Sequence, residues 1–170
     1  MSARAKLSDL TEALAFDSDF HRTWFDRQSA RTVIVSEEVM SALEQGDEEA
    51  LNESPDWQKE EIAIGREVMA DEAGDRFIDS PNKLEFHEYR HMEKFVASLP
   101  DEAIAEQLWR AIKGKGAFRF FKDTLHRLGI EKQWYEYRDN AMKEFVIDWA
   151  EGNGIPWVDD LKRRPDNQNP

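Results

Sequence analysis

His87-Glu88-Tyr89-Arg90-His91 spells H-E-x-x-H, the pattern that on a helix sets two histidines one turn apart for zinc, with the glutamate as general base. In a chain with four histidines and twenty glutamates the pattern also arises by coincidence, so its surroundings must decide. At about 100° per residue the apolar stripe of this segment centres near Met92, which puts Glu88 about 40° from that centre and both histidines on its flank. Arg90 adds a cation beside the would-be ligands, and Glu102, Glu106 or a distant residue would have to complete the site. The expectation is two half-exposed histidines beside a core stripe, with no metal and no catalytic set. A zinc-dependent hydrolase using His87, Glu88 and His91 is the enzymatic alternative.

A second constellation is cationic. Arg110, Lys113, Lys115, Arg119 and Lys122 follow one another without an intervening acid, a local reversal in a chain whose formal charge is −13. Gly114 and Gly116 flank Lys115 just before a helical stretch, where free backbone N–H groups and the positive end of the helix dipole would face one place. The Walker pattern G-x-x-x-x-G-K-[ST] and the dinucleotide fingerprint are both absent. The spacing therefore points to a site for a phosphate-type anion made of Lys113, Gly114, Lys115, Gly116, Arg119 and Lys122. The competing expectation is a plain glycine turn whose cations pair with the protein's own carboxylates. Further on, Arg138 falls within an aromatic stripe one turn after Trp134, so it must stack on a ring or pair with a carboxylate. Asp148 and Asp26 are the candidate partners, and Trp134, Arg138 and Trp149 form a structural set.

The elements that must carry these residues can be read from periodicity. Ala117, Phe118, Phe121, Leu125 and Leu128 recur at helical spacing until Gly129 stops them. Trp134, Ala141, Phe145 and Trp149 repeat the pattern, with Met142 on the margin, until Gly152 and Gly154. Earlier in the chain, Leu7, Leu10 and Leu14 form a short helical stripe. Phe20 to Phe25 and Thr32 to Val35 are aromatic or β-branched runs around DRQSAR, a predicted hairpin, and Arg76 to Asp79 is a candidate third strand. Ser36, Glu37 and Glu38 open a helix through Leu43. The acidic stretch from Glu44 to Asp56 reads as a solvated loop or exposed helix. Ser54 and Pro55 read as a cap and first helical position, with Trp57, Glu61, Ile64 and Val68 on one face after them. Ser80-Pro81 and Pro100-Asp101 begin the next two helices. The fold class expected is α+β and mainly helical: about six helices, a helical C-terminal core, and a small antiparallel hairpin or three-stranded sheet. Residues 1–158 form one domain on this reading, and residues 159–170 a polar, mobile tail.

GKGAFRFFKDTL, then WYEYRD, then Trp149 and Asn153-Gly154-Ile155 together resemble the C-terminal signature of a bacterial uncharacterised protein family, number one-five-eight of the uncharacterised-protein-family series. The similarity extends to Trp24, Phe25 and Asp26, which stand like that family's aromatic-leucine-aspartate strand before a turn and a valine-rich strand. This chain departs from the pattern in having Ala30 where a turn glycine is usual and Phe120 where a second arginine is common. The family has no established activity, so the resemblance implies none.

Composition bounds what remains. Hydrophobic residues make up 40% and charged residues 35%, which suffices for a real core. The absence of cysteine excludes disulfides, thiolate metal sites and cysteine nucleophiles. The acidic balance argues against general nucleic-acid binding and against anionic membranes. The opening MSARAKLSDL lacks the apolar core of a signal peptide, and no stretch approaches the ~18 apolar residues of a membrane span, so the cytoplasm is the expected setting. The function expected is a non-catalytic cytoplasmic binding or interaction module, with no cofactor and with a phosphate-containing small molecule or a protein as partner. A purely structural protein–protein interaction subunit is the remaining alternative.

Overall fold

The structure, a computed structural model, describes residues 3–16 and 18–161. Residues 162–170, most of the predicted tail, lie outside it. The chain divides into two compact units, Met1–Asn82 with Val146–Pro170, and Lys83–Phe145.

In the first unit a two-residue strand β1 (Ala5–Lys6) leads into helix α1 (Leu7–Phe16), where Leu7, Leu10 and Leu14 are fully buried. Strands β2 (His21–Asp26) and β3 (Arg31–Ser36) form the predicted antiparallel hairpin, with Asp26 opposite Arg31. Its turn closes because Ala30 adopts the left-handed conformation, φ 56°, and donates its N–H to the Asp26 carbonyl at 2.8 Å. Ser36 caps helix α2 (Glu37–Gln45) by accepting from the Val39 N–H, and left-handed Gly46 ends it. The acidic stretch is more ordered than a loop: Asp47 caps a short helix α3 (Glu48–Asn52), and Leu51 is buried. Ser54 does not cap the following helix, since its hydroxyl donates back to the Ala50 carbonyl. Pro55 instead precedes a single 3-10 turn, Asp56–Gln58, and only then does α4 (Lys59–Ala70) begin. Trp57 consequently sits on that turn, not on the helix. Strand β4 (Phe77–Asp79) is the predicted third strand and pairs with β2, giving the sheet order β3-β2-β4. Val35, Val39, Met40, Leu43, Leu51 and Ile62 make the core here. Gly65 of α4 lets that helix approach α2, because a Cβ on it would stand 2.6 Å from Leu43 Cδ1. A parallel pairing of β1 with β5 (Trp157–Val158) closes the unit; two-residue strands carry no readable period.

The second unit is helical. It comprises α5 (Lys83–Phe86), α6 (Glu88–Ser98), α7 (Glu102–Ala111), α8 (Ala117–Leu128) and the residues up to Phe145 of α9 (Glu131–Gly152). The helix expected from Ser80 onward is broken at His87, whose φ is 54°. With α3, this break accounts for more helical segments than six. Trp134, 1% exposed, is the hub. Its ring meets Phe121 edge-on at 5.0 Å and Phe95 at 5.4 Å, while Met92, Val96, Leu108 and Ile112 surround them. Two expected core positions shift. Ala117, Phe121 and Leu125, at i, i+4 and i+8, take the buried line of α8 and leave Phe118 48% exposed. In α9, Met142, expected on the margin, is buried. Val146 and Ala150 are fully buried, and Phe145 and Trp149 are half-buried flankers. Phe145 meets Phe86 edge-on, and within the first unit Trp149 meets Phe25 in the same way. The architecture is thus α+β and mainly helical with a small three-stranded antiparallel sheet. Among the described residues no helix is long and apolar enough to cross a membrane.

Candidate functional site

The glycine-lysine turn joins α7 to α8. Arg110 ends α7 with a 2.6 Å ion pair to Glu106 one turn back, and Gly114 and Gly116 both take left-handed backbone, φ 85° and 75°. That conformation favours glycine here, since a Cβ would strain both positions. Gly116 is the N-cap of α8 and has no side chain with which to satisfy the first-turn N–H groups. No acid stands in that first turn. The first-turn N–H groups and the positive end of the helix dipole therefore lie at the turn that carries Lys113 and Lys115 in sequence. Lys113, Lys115, Arg119 and Lys122 are all exposed. Arg119 reaches Asp123 only at 4.0 Å, whereas Lys113, Lys115 and Lys122 have no ion pair among the described residues. Phe120 is 54% exposed and packs over Gly116, where a Cβ would lie 3.2 Å from its ring. Nothing lies within 4 Å of the Cβ position of Gly114, so the turn is open on that side. The turn thus sets backbone N–H donors beside exposed cationic side chains.

The H-E-x-x-H residues are placed differently. His87 stands outside α6 in a left-handed conformation and makes no side-chain cap, so the two histidines do not occupy successive turns of one helix. His91 stacks on Phe86, ring centroids 4.3 Å apart and 19° between planes. Burial and the nearby Lys94 hold His91 below the usual imidazole range, outweighing the Phe86 backbone, Glu88 and Glu144. Glu88 is turned to another use: its Oε1 accepts from Arg138 Nε at 2.6 Å, with both side chains 22% exposed. Among the described residues no group of three or more His, Cys, Asp or Glu side chains is arranged to hold a metal ion. The partner of Arg138 is thus Glu88, a residue fifty positions upstream, and neither Asp148 nor Asp26.

Asp26 belongs to a network that spacing could not have shown. Its carboxylate, 4% exposed, accepts from Arg76 Nε at 2.9 Å and Nη2 at 3.0 Å, from the Gln28 N–H and from the Ser29 hydroxyl. Burial pushes its pKa up, but these four donors and the guanidinium charge more than offset burial and hold the group below the usual carboxylate range. Arg76 also reaches Glu67 at 3.2 Å and stacks over Phe77. The one signal available in the sequence was the position of Arg76 at the start of the candidate third strand, where pairing of β4 with β2 carries it to the hairpin turn.

A mainly helical α+β chain with an exposed cationic turn is the class that fold and site define. The chain belongs to the uncharacterised protein family UPF0158, whose family model matches residues 5–166. No curated protein and no solved structure matches it.

Proposed function

We propose that this protein is a non-catalytic binding module whose small-molecule handle is the turn Lys113-Gly114-Lys115-Gly116, taking a phosphate-type anion with Arg119 or Lys122 as a second contact. The observation that carries this reading is the uncapped N-terminus of α8, bordered by lysines that have no ion pair among the described residues. Backbone donors, dipole and charge coincide there, and a phosphate satisfies all three. The exposed ring of Phe120 over Gly116 favours a nucleoside phosphate over inorganic phosphate, since a base can stack on it. Affinity is modest and falls with salt, because the contacts are solvent-exposed and screened over ~10 Å at about 0.1 M salt. Calorimetry at low salt with inorganic phosphate, nucleoside phosphates and short oligonucleotides tests the proposal. Binding is expected in the parent and lost in Lys115→Glu, a surface change expected to alter stability by no more than about 0.5 kcal/mol. Absence of binding by every probe, or unchanged binding by the variant, sinks it.

A further inference from the structure

A second surface, wholly within the sheet-containing unit and independent of the cationic turn, has the opposite chemistry. An open groove of about 320 Å³ is walled by Phe16, Ile34, Trp57 and Ile64. Three of these are unusually wet for apolar side chains: Trp57 is 74% exposed, Phe16 46% and Ile34 37%. Trp57 stands on the 3-10 turn that Pro55 introduces, and its position there holds the indole away from the core of α4. Phe16 is braced by His21, whose ring meets it edge-on at 5.2 Å. Contiguous exposed aromatic surface of this kind marks an interaction site in folded proteins.

The charges bordering the groove say what it takes. Glu60 and Glu61 line it, and among the described residues no lysine or arginine does. Glu61 is partly engaged, accepting from the Ser36 N–H, but Glu60 is exposed and makes no ion pair among the described residues. The surrounding unit, residues 1–82 and 146–170, holds 11 Lys and Arg against 25 Asp and Glu, a formal −14. We propose that this groove docks a basic peptide segment of a partner protein, with an apolar side chain of that segment seated against Trp57 and Phe16 and a lysine or arginine beside it meeting Glu60. An aromatic wall beside carboxylates suits such a segment twice over, because a cation also gains from the face of an indole. The −14 field draws basic segments from a distance and repels acidic ones.

The test uses the full chain and a fluorescent probe peptide of about eight residues, lysine throughout except for one phenylalanine and one leucine. An all-lysine peptide and an all-glutamate peptide of the same length serve as controls. Fluorescence anisotropy is expected to show the anchored peptide binding more tightly than the all-lysine peptide and the glutamate peptide not at all. Trp57→Ala should weaken binding about tenfold, as removal of a central aromatic anchor does. Glu60→Gln should weaken it about threefold, while Glu49→Gln on α3, outside the groove, leaves it unchanged. The proposal is overturned if Trp57→Ala binds like the parent, if Glu49→Gln loses as much as Glu60→Gln, or if the all-lysine peptide binds as tightly as the anchored one. It is equally overturned if sedimentation shows that the protein alone forms a dimer that Trp57→Ala dissolves, since the groove then belongs to a second copy.

Discussion

The two units are built on different physics from the same chain. Residues 83–145 carry 12 Lys and Arg against 11 Asp and Glu, a formal +1, whereas the rest carries −14. The near-neutral unit is held by rings: Trp134, Phe121 and Phe95 meet edge-on, with Tyr137 stacked against the indole at 6.3 Å. In the acidic unit, by contrast, charged side chains tie the sheet to its neighbours. Arg22 of β2 bridges Glu37 and Glu44 of α2 at 2.5 and 2.6 Å, and Asp26 and Arg76 join the hairpin turn to the start of β4. The lesson is that a strongly acidic unit can be stitched by a few arginines, each shared between carboxylates.

The largest effect should come from Trp134→Ala, which removes the hub of the ring cluster and should cost about 3–5 kcal/mol. Its destabilisation, read from urea unfolding, should be the same at pH 7 and pH 3.5 if the unit is held by packing alone; a strong pH dependence would break the comparison. Next comes Asp26→Asn, expected to cost about 3 kcal/mol, the low end for a broken buried pair because Arg76 stays partly solvated. Here the pH dependence is the point. A carboxylate whose folded pKa lies below its unfolded value, near 3.9, stabilises the fold above that value and ceases to do so as pH falls through the folded pKa. The gap in stability between parent and variant should therefore close in acid, and a gap that is as wide at pH 2 as at pH 7 would refute the pairing. The smallest is Arg138→Ala, which should cost about 1–2 kcal/mol by leaving Glu88 half-buried without its donor. Arg90→Ala, at an exposed position on α6, should stay within about 0.5 kcal/mol. Equal melting temperatures for these two variants would show that the charge pair of the helical unit contributes nothing, which would sharpen the contrast with Asp26.

This division also explains what the sequence could reveal. Stripes such as Leu7, Leu10 and Leu14, or Ala117, Phe121 and Leu125, repeat at a spacing that only a helix makes contiguous, so core and fold class were legible. The hairpin was legible through its β-branched runs, and the third strand through Phe77 and Ile78. What local spacing cannot express is which distant side chains a sheet or a helix pair brings together. Arg76 reaches Asp26 across fifty positions, and Arg138 reaches Glu88 across another fifty, so the candidate partners of Arg138 were drawn from the wrong places. The H-E-x-x-H pattern assumes a continuous helix, and His87 interrupts it with a single left-handed residue. The cationic turn was legible because all of its parts lie within ten consecutive residues. The groove at Trp57 was not, since its walls come from α1, β3, the 3-10 turn and α4.

The left-handed alanine in the hairpin turn has a consequence of a different kind, for how freely this position can change over generations. Alanine and glycine codons differ by a single base, so Ala30→Gly is one mutational step. Relieving the backbone at φ 56° is worth about 1 kcal/mol, but the methyl group is 5% exposed, and its burial is worth about 0.8 kcal/mol. The two terms nearly cancel. Ala30→Gly should therefore shift stability by less than about 0.5 kcal/mol, so a single base change at this position leaves the turn closed.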